Sequence, residues 1–246
     1  MAIVQSCILN ERNTKGCSTC PPTCPHKIAL EGLNGKGGRI ALAGAPPSYR
    51  GLTLKNSPAR DSQSKVYDLL EKYIATFQRI FDAENNRIKS LYLFSESPGT
   101  GKTTTAVVAM NEYIIATYLG ALKRGIQPTQ QPALFLDVNE MQTKYNLSNM
   151  TNNEEGLNEI KMMIKRASVV DLLVCDDIGI RGASESFRSL VHAIINARTT
   201  ADLPTIYTSN VTINELKTVF DERLADRIKD QCAVIAFEGE SKRGRR

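Results

Sequence analysis

From Asp61 onward the apolar positions Val66, Leu69, Leu70, Tyr73, Ile74, Phe77, Ile80 and Phe81 recur at steps of three and four, which predicts a helix with one buried face. Further along, short apolar runs at 91–94, 133–138, 169–175, 205–208 and 233–237 alternate with stretches of helical spacing. Several of these runs are apolar at both parities, as expected of parallel strands covered on both faces. The alternation predicts a three-layer α/β domain around a five-stranded parallel sheet. Before this region the pattern breaks. Residues 32–47 hold Gly35, Gly37, Gly38, Gly44 and the pair Pro46-Pro47, which read as a flexible joint. No strand precedes Gly35-Lys36-Gly37-Gly38, so that run does not read as a phosphate loop. The chain thus divides into a cysteine-rich head over 1–30, a linker over 31–60 and the α/β domain over 61–246.

The first apolar run leads into Ser95-Glu96-Ser97-Pro98-Gly99-Thr100-Gly101-Lys102-Thr103-Thr104, and an apolar helical stretch with Val107, Met110, Ile114 and Leu119 follows. A strand, a glycine-rich turn and a helix in that order make a P-loop. Gly99 and Gly101 let backbone N–H groups face a phosphate chain, and the helix N-terminus adds partial positive charge there. The nucleotide-binding set is therefore Ser97, Pro98, Gly99, Thr100, Gly101, Lys102, Thr103 and Thr104. Lys102 is spaced to reach the β- and γ-phosphates, and the Thr103 hydroxyl to ligate Mg²⁺. Glu96 stands where the usual pattern begins with Gly, and a carboxylate there weakens nucleotide affinity unless it points away or is paired.

The run ending Leu172-Leu173-Val174-Cys175-Asp176-Asp177 is a Walker B pattern. Asp176 is expected to hold Mg²⁺, directly or through water, and Asp177 to orient or deprotonate the attacking water. Asp177 is a carbon shorter than the Glu many such sites carry, which suits slow turnover. The next run closes on Thr208-Ser209-Asn210, and ligands gather at the carboxyl ends of parallel strands. Asn210 is thereby placed to contact the γ-phosphate or the water. Arg223 and Arg227 share one helical face. Each pairs with Asp221, Glu222 or Asp226, or reaches a neighbouring subunit's γ-phosphate as an arginine finger. Arg227 is the favoured finger.

Taken in order, Pro98-Gly99-Thr100-Gly101-Lys102-Thr103, Leu172 to Gly179, Ile194-Ile195-Asn196-Ala197-Arg198, Thr208-Ser209-Asn210, Glu222 to Ile228 and the closing Phe237 to Arg243 resemble the DnaC/DnaI family of replicative helicase loaders, which are AAA+ ATPases. The likeness covers residues 48–241. It implies a hexameric replicative DNA helicase engaged through the N-terminal region. It also implies ATP and single-stranded DNA bound by the AAA+ part, self-association through the ATPase interface, and no room for a C-terminal helical lid. The compact size and the altered P-loop suit a phage-encoded version. Such proteins place DNA-contacting helices in the segment corresponding to 139–166. There Lys144, Lys161, Lys165 and Arg166 are candidates for phosphates and Tyr145 for base stacking, against the alternative of two solvated helices. An IstB-type transposition helper shares almost the whole core and would bind duplex DNA and a transposase. A nucleotide-gated adaptor with negligible hydrolysis is a further reading, kept open by Glu96 and Asp177.

Four of the six cysteines, Cys7, Cys17, Cys20 and Cys24, crowd the first 24 residues. Their spacing suits tetrahedral Zn²⁺, with His26 as an alternative ligand, and a closed four-ligand site would be structural. Composition adds little. A hydrophobic fraction of 41% supports a packed core, and the net charge of +5 permits a polyanionic partner. Lys242, Arg243, Arg245 and Arg246 form a basic tail that is either solvated or bound to nucleic acid. No apolar run approaches the roughly 20 residues of a membrane span and no secretory signal is evident, so a cytoplasmic protein is expected.

Overall fold

The computed structural model describes residues 7–9, 23–84, 87–179 and 182–241. Five strands form one sheet: β1 (Ser90–Phe94), β2 (Ala133–Asp137), β3 (Leu172–Asp176), β4 (Thr205–Ser209) and β5 (Cys232–Ala236). Their order is β2-β3-β4-β1-β5 and every pairing is parallel. The helices are α1 (Pro25–Glu31), α2 (Gly38–Leu42), α3 (Ser64–Ala75), α4 (Lys102–Lys123), α5 (Val138–Met150), α6 (Glu154–Val169), α7 (Glu185–Thr200), α8 (Leu216–Val219) and α9 (Glu222–Gln231).

Strand side chains alternate between two cores, as a pleated sheet requires. Leu91, Leu93, Phe135, Leu172, Val174, Ile206 and Ile235 pack with α3 and α4, while Tyr92, Leu134, Leu136, Leu173, Cys175 and Tyr207 pack with α7 and α9. Both faces are therefore dry, which explains the absence of polar alternation in the strands. Helix starts are set locally. Asp137, Asn153, Ser184 and Asp221 each accept a hydrogen bond from the backbone N–H three residues on, at 2.8–3.2 Å, satisfying donors that the first turn leaves open.

The stretch expected as a linker is instead part of the packed body. Arg39 is buried, donating to the carbonyls of Ala29, Pro128 and Thr129 and lying over the Tyr118 ring. Ala43 accepts from Phe135 N–H at 2.7 Å, covering the outer edge of β2. On α4, Asn111 donates to the carbonyls of Tyr49, Arg50 and Leu52, and Glu112 accepts from Leu54 N–H. The glycines there serve close approach rather than freedom. At Gly38 (φ +65°) a Cβ would lie 2.5 Å from the Leu30 backbone.

Three more expectations change. The helix read over 61–81 is regular only to Ala75. It then tightens to a 3-10 turn over Thr76–Phe81 that holds the buried Phe77, and Leu69, on the regular part, is half exposed. Residue 169, read as strand, ends α6 and is 68% exposed. A short apolar run does not distinguish strand from helix end. Finally, α4 is long and apolar enough to cross a membrane, contrary to the reading of the bare sequence, but 78% of its apolar window is buried between the sheet and α3. Its composition is that of a core helix.

Candidate functional site

The five strands carry their carboxyl ends to one edge, where the loop between β1 and α4 lies. Gly99 (φ +73°) and Gly101 (φ +103°) take left-handed backbone that only glycine adopts without strain. Gly101 caps the start of α4, so the helix N-terminus meets the loop. Lys102 is 8% exposed, and its Nζ donates to Asn210 Oδ1 at 2.6 Å and to the Ser97 carbonyl at 3.2 Å. The amine thus bridges the loop and the end of β4. Glu96 is exposed, so its carboxylate points to solvent rather than into the loop.

Thr103 Oγ1 donates to Asp176 Oδ1 at 2.9 Å and lies 3.1 Å from Oδ2. Thr208, on the neighbouring strand β4, donates to Asp176 Oδ1 at 2.7 Å and accepts from Asp177 N–H at 2.9 Å. Burial pushes the Asp176 carboxyl up to about 6. The Thr208 and Thr103 hydroxyls work against that rise, while Asp137 and Asp177 add to it. Asp137 faces Asp176 because the β2–β3 register pairs them. Asp177 has φ +60° and is half-buried. Its Oδ2 accepts from Asn139 Nδ2 at 2.7 Å, and its Oδ1 lies 3.4 Å from Asn210 Nδ2. The fold therefore collects Lys102, Thr103, Asp176, Asp177 and Asn210 in one connected network. Hydroxyl and carboxylate oxygens at the Thr103–Asp176 contact suit a hard divalent cation such as Mg²⁺. The glycine-bounded loop fits a phosphate chain.

Other expected residues are placed differently. Arg227 is exposed on α9 and its guanidinium bonds Asn196 Oδ1 on α7, whereas Arg223, one turn earlier, is exposed with no polar partner among the described residues. On α5, Lys144 pairs with Glu159, and Tyr145 packs in tilted contact with Phe187, ring centroids 5.7 Å apart. Lys161 and Lys165 are exposed on α6, and Arg166 donates to Gln131 at 2.5 Å. Cys17, Cys20 and the tail 242–246 lie outside the described residues. Cys7 is buried and Cys24 half-buried, and no group of three metal-ligating side chains occurs among the described residues. His26, the alternative ligand, has its Nδ1 2.9 Å from Tyr118 OH.

Thr208, Asn139 and Arg198 carry weight that residue-by-residue reading did not assign. Arg198 is 1% exposed and donates to the carbonyls of Ala167, Val170 and Pro204 and to Thr205 Oγ1 at 2.7–2.8 Å. It locks α7 to α6 and to the start of β4, and burial lowers its guanidinium to about 10. Its place in the Ile194 to Arg198 run was the available signal.

The sheet order, the P-loop and the paired aspartates define an AAA+ P-loop fold. Within that class the chain belongs to the family of IstB-like ATP binding proteins, which matches residues 86–246. It is 28% identical over 157 residues to the replicative helicase loader DnaC of Escherichia coli K12, covering 63% of this chain and 56% of that protein. Against DnaC of Buchnera aphidicola from Schizaphis graminum it is 27% identical over 186 residues, covering 74% and 65%. The chain thus spans less than two-thirds of these relatives' length. Among solved structures, it is similar in fold to the DnaC helicase loader (TM-score 0.55, 20% identity, 78% of this chain and 100% of that one). A primosome component of Streptococcus pyogenes serotype M3 is comparable (TM-score 0.54, 20% identity, 82% and 93%).

Proposed function

We propose that the protein is an ATP-dependent loader of a replicative DNA helicase, working in the bacterial cytoplasm. The observation that carries this reading is the Lys102–Asn210–Asp177 and Thr103–Asp176–Thr208 network, in a chain whose curated relatives are named replicative helicase loaders. ATP with Mg²⁺ supplies the phosphoryl group and the charge neutralisation for its transfer. The side chains divide the remaining work. Ser97 through Thr104 cradle the phosphates, and Lys102 takes the negative charge of the outer ones. Thr103 and Asp176 hold the cation, Asp177 orients water, and Asn210 reports whether the outer phosphate is present. Arg227 or Arg223 reaches a neighbouring copy's nucleotide, so that hydrolysis follows self-association. Lys161, Lys165 and Arg166 on α6 are the exposed candidates for single-stranded DNA phosphates, with Lys144, paired to Glu159, beside them. Residues 1–30 form the docking head, in which Cys7, Cys17, Cys20 and Cys24 bind structural Zn²⁺, with residues 61–246 as the ATPase unit against which 31–60 packs.

The test is size-exclusion chromatography with light scattering of the full chain with its host's replicative helicase, with and without ATP, beside Cys17→Ser/Cys20→Ser. A complex that the cysteine variant loses supports the reading. No complex under any nucleotide condition overturns it for that helicase. The match of residues 86–246 to IstB-like proteins favours a second reading, an ATP-dependent transposition helper. Duplex DNA binding with transposase capture, and no helicase complex, would establish it.

A further inference from the structure

Gln63 lies outside every motif named above, at the end of a short turn before α3. It is nevertheless 7% exposed, and its Nε2 donates in two directions. One bond, at 2.7 Å, goes to the carbonyl of Glu238, just beyond β5, and the other, longer at 3.4 Å, to the carbonyl of Thr100 inside the P-loop. The shorter bond fixes the amide against the sheet, because the neighbouring Phe237 N–H donates to Phe94 at the end of β1 at 2.7 Å. The longer bond then acts on a peptide whose orientation matters. The Thr100–Gly101 unit is planar and trans, so its C=O and N–H point to opposite sides. Holding the Thr100 carbonyl toward Gln63 turns the Gly101 N–H away from it.

Two neighbouring contacts point the same way. A Cβ on Gly101 would lie 2.8 Å from Ala59 Cβ, so the segment carrying Gln63 is pressed against the loop backbone. Tyr67 OH, on α3, meets both Ser57 Oγ and Thr105 Oγ1, which ties the same segment to the first turn of α4. All of this bracing comes from residues 57–67, ahead of the family match at 86–246.

We infer that Gln63 is a positioning residue for the phosphate loop, setting the Thr100–Gly101 peptide for phosphate binding by donating to Thr100 and Glu238. The inference rests on the nucleotide-binding reading of the loop. Gln63 acts through the Thr100 carbonyl, so its effect falls on nucleotide affinity rather than on the hydrolytic step. Gln63→Met removes both donors at similar length. It is expected to weaken binding of N-methylanthraniloyl-ATP to the full chain by about tenfold, to raise the ATPase KM in parallel, and to leave kcat at saturating ATP within about twofold. Gln63→Lys keeps a donor for both carbonyls and is expected to stay within about threefold of wild type in Kd. Gln63→Glu cannot donate and is expected to behave as Gln63→Met.

Equal affinity of wild type and Gln63→Met overturns the inference, as does equal weakening by Gln63→Lys and Gln63→Glu. Should Gln63→Met fail to fold, the Lys and Glu pair decides alone. A wild-type chain that binds no ATP overturns the nucleotide reading itself, which is a distinct result.

Discussion

The side-chain amide of Asn139 donates to Asp177 Oδ2 at 2.7 Å, so the carboxylate assigned to water activation is held by a residue in the first turn of α5. Asn210 faces the other oxygen at 3.4 Å. The two amides thus engage both oxygens that would meet a water and restrain the carboxylate's orientation. Helix α5 leads directly into α6, where the exposed lysines Lys161 and Lys165 sit.

Asn139→Ala is therefore expected to raise basal ATP turnover by about two- to tenfold, because one restraint on the base is lost. Phosphate release in the absence of DNA and helicase checks it. A fall in kcat would show that Asn139 aligns Asp177 instead of restraining it.

Asp176 predicts a pH dependence of stability. Its carboxyl is raised to about 6 in the fold, so the neutral form is favoured there. The contribution of this group is full below its ordinary value of 3.8 and is lost as pH rises through about 6. Asp176→Asn keeps an oxygen for the Thr103 and Thr208 hydroxyls and carries no charge. It is expected to raise the melting temperature of the nucleotide-free protein at pH 8 by roughly 2–6 °C, with the gain shrinking toward pH 5. Thermal scans across that range measure it, and a gain independent of pH would contradict the assignment. Cation-assisted nucleotide binding should show the opposite trend in wild type, strengthening as pH rises through about 6.

Arg198 predicts a large structural effect with no catalytic contact. Lysine offers a compact ammonium where the guanidinium spans four acceptors in fixed directions. Arg198→Lys should cost about 2–4 kcal/mol in urea unfolding, since buried carbonyls lose their donors. A cost below about 0.5 kcal/mol, the level of ordinary surface changes, would mean that the cluster is hydrated rather than dry.

Tyr145 separates base stacking from packing. Its ring lies against the buried Phe187, so Tyr145→Ala should destabilise the fold by about 1–3 kcal/mol and leave single-stranded DNA affinity within twofold. Lys161→Glu/Lys165→Glu should instead weaken that affinity and flatten its salt dependence. DNA binding titrated at several salt concentrations distinguishes the role of Tyr145 from that of the two lysines.

Where a feature depends on contiguous residues, it was legible without coordinates. The P-loop is one such case, since a strand, Gly99, Gly101, Lys102 and Thr103 meet through backbone geometry that neighbours in the chain dictate. The strand cores are another, because apolar runs of five residues have few other places to go in a sheet covered on both faces. The glycine-rich stretch before residue 61 misled for the converse reason. Local composition there signals freedom, while the contacts that remove it come from Thr129, Phe135, Asn111 and Glu112, far along the chain.

The candidate site divides along the same line. By itself the sequence determined the loop, the paired aspartates and the polar end of β4, since each lies within a few residues of an apolar run. Only the tertiary structure decided that Lys102 meets Asn210, that Thr208 holds Asp176, that Asn139 grips Asp177 and that Gln63 reaches both Thr100 and Glu238. Those contacts follow from strand order and register, which bring β1, β3 and β4 side by side although they lie far apart in the chain. Hydrogen bonds act over about 3 Å, and pattern along one chain carries no such distance between its distant parts.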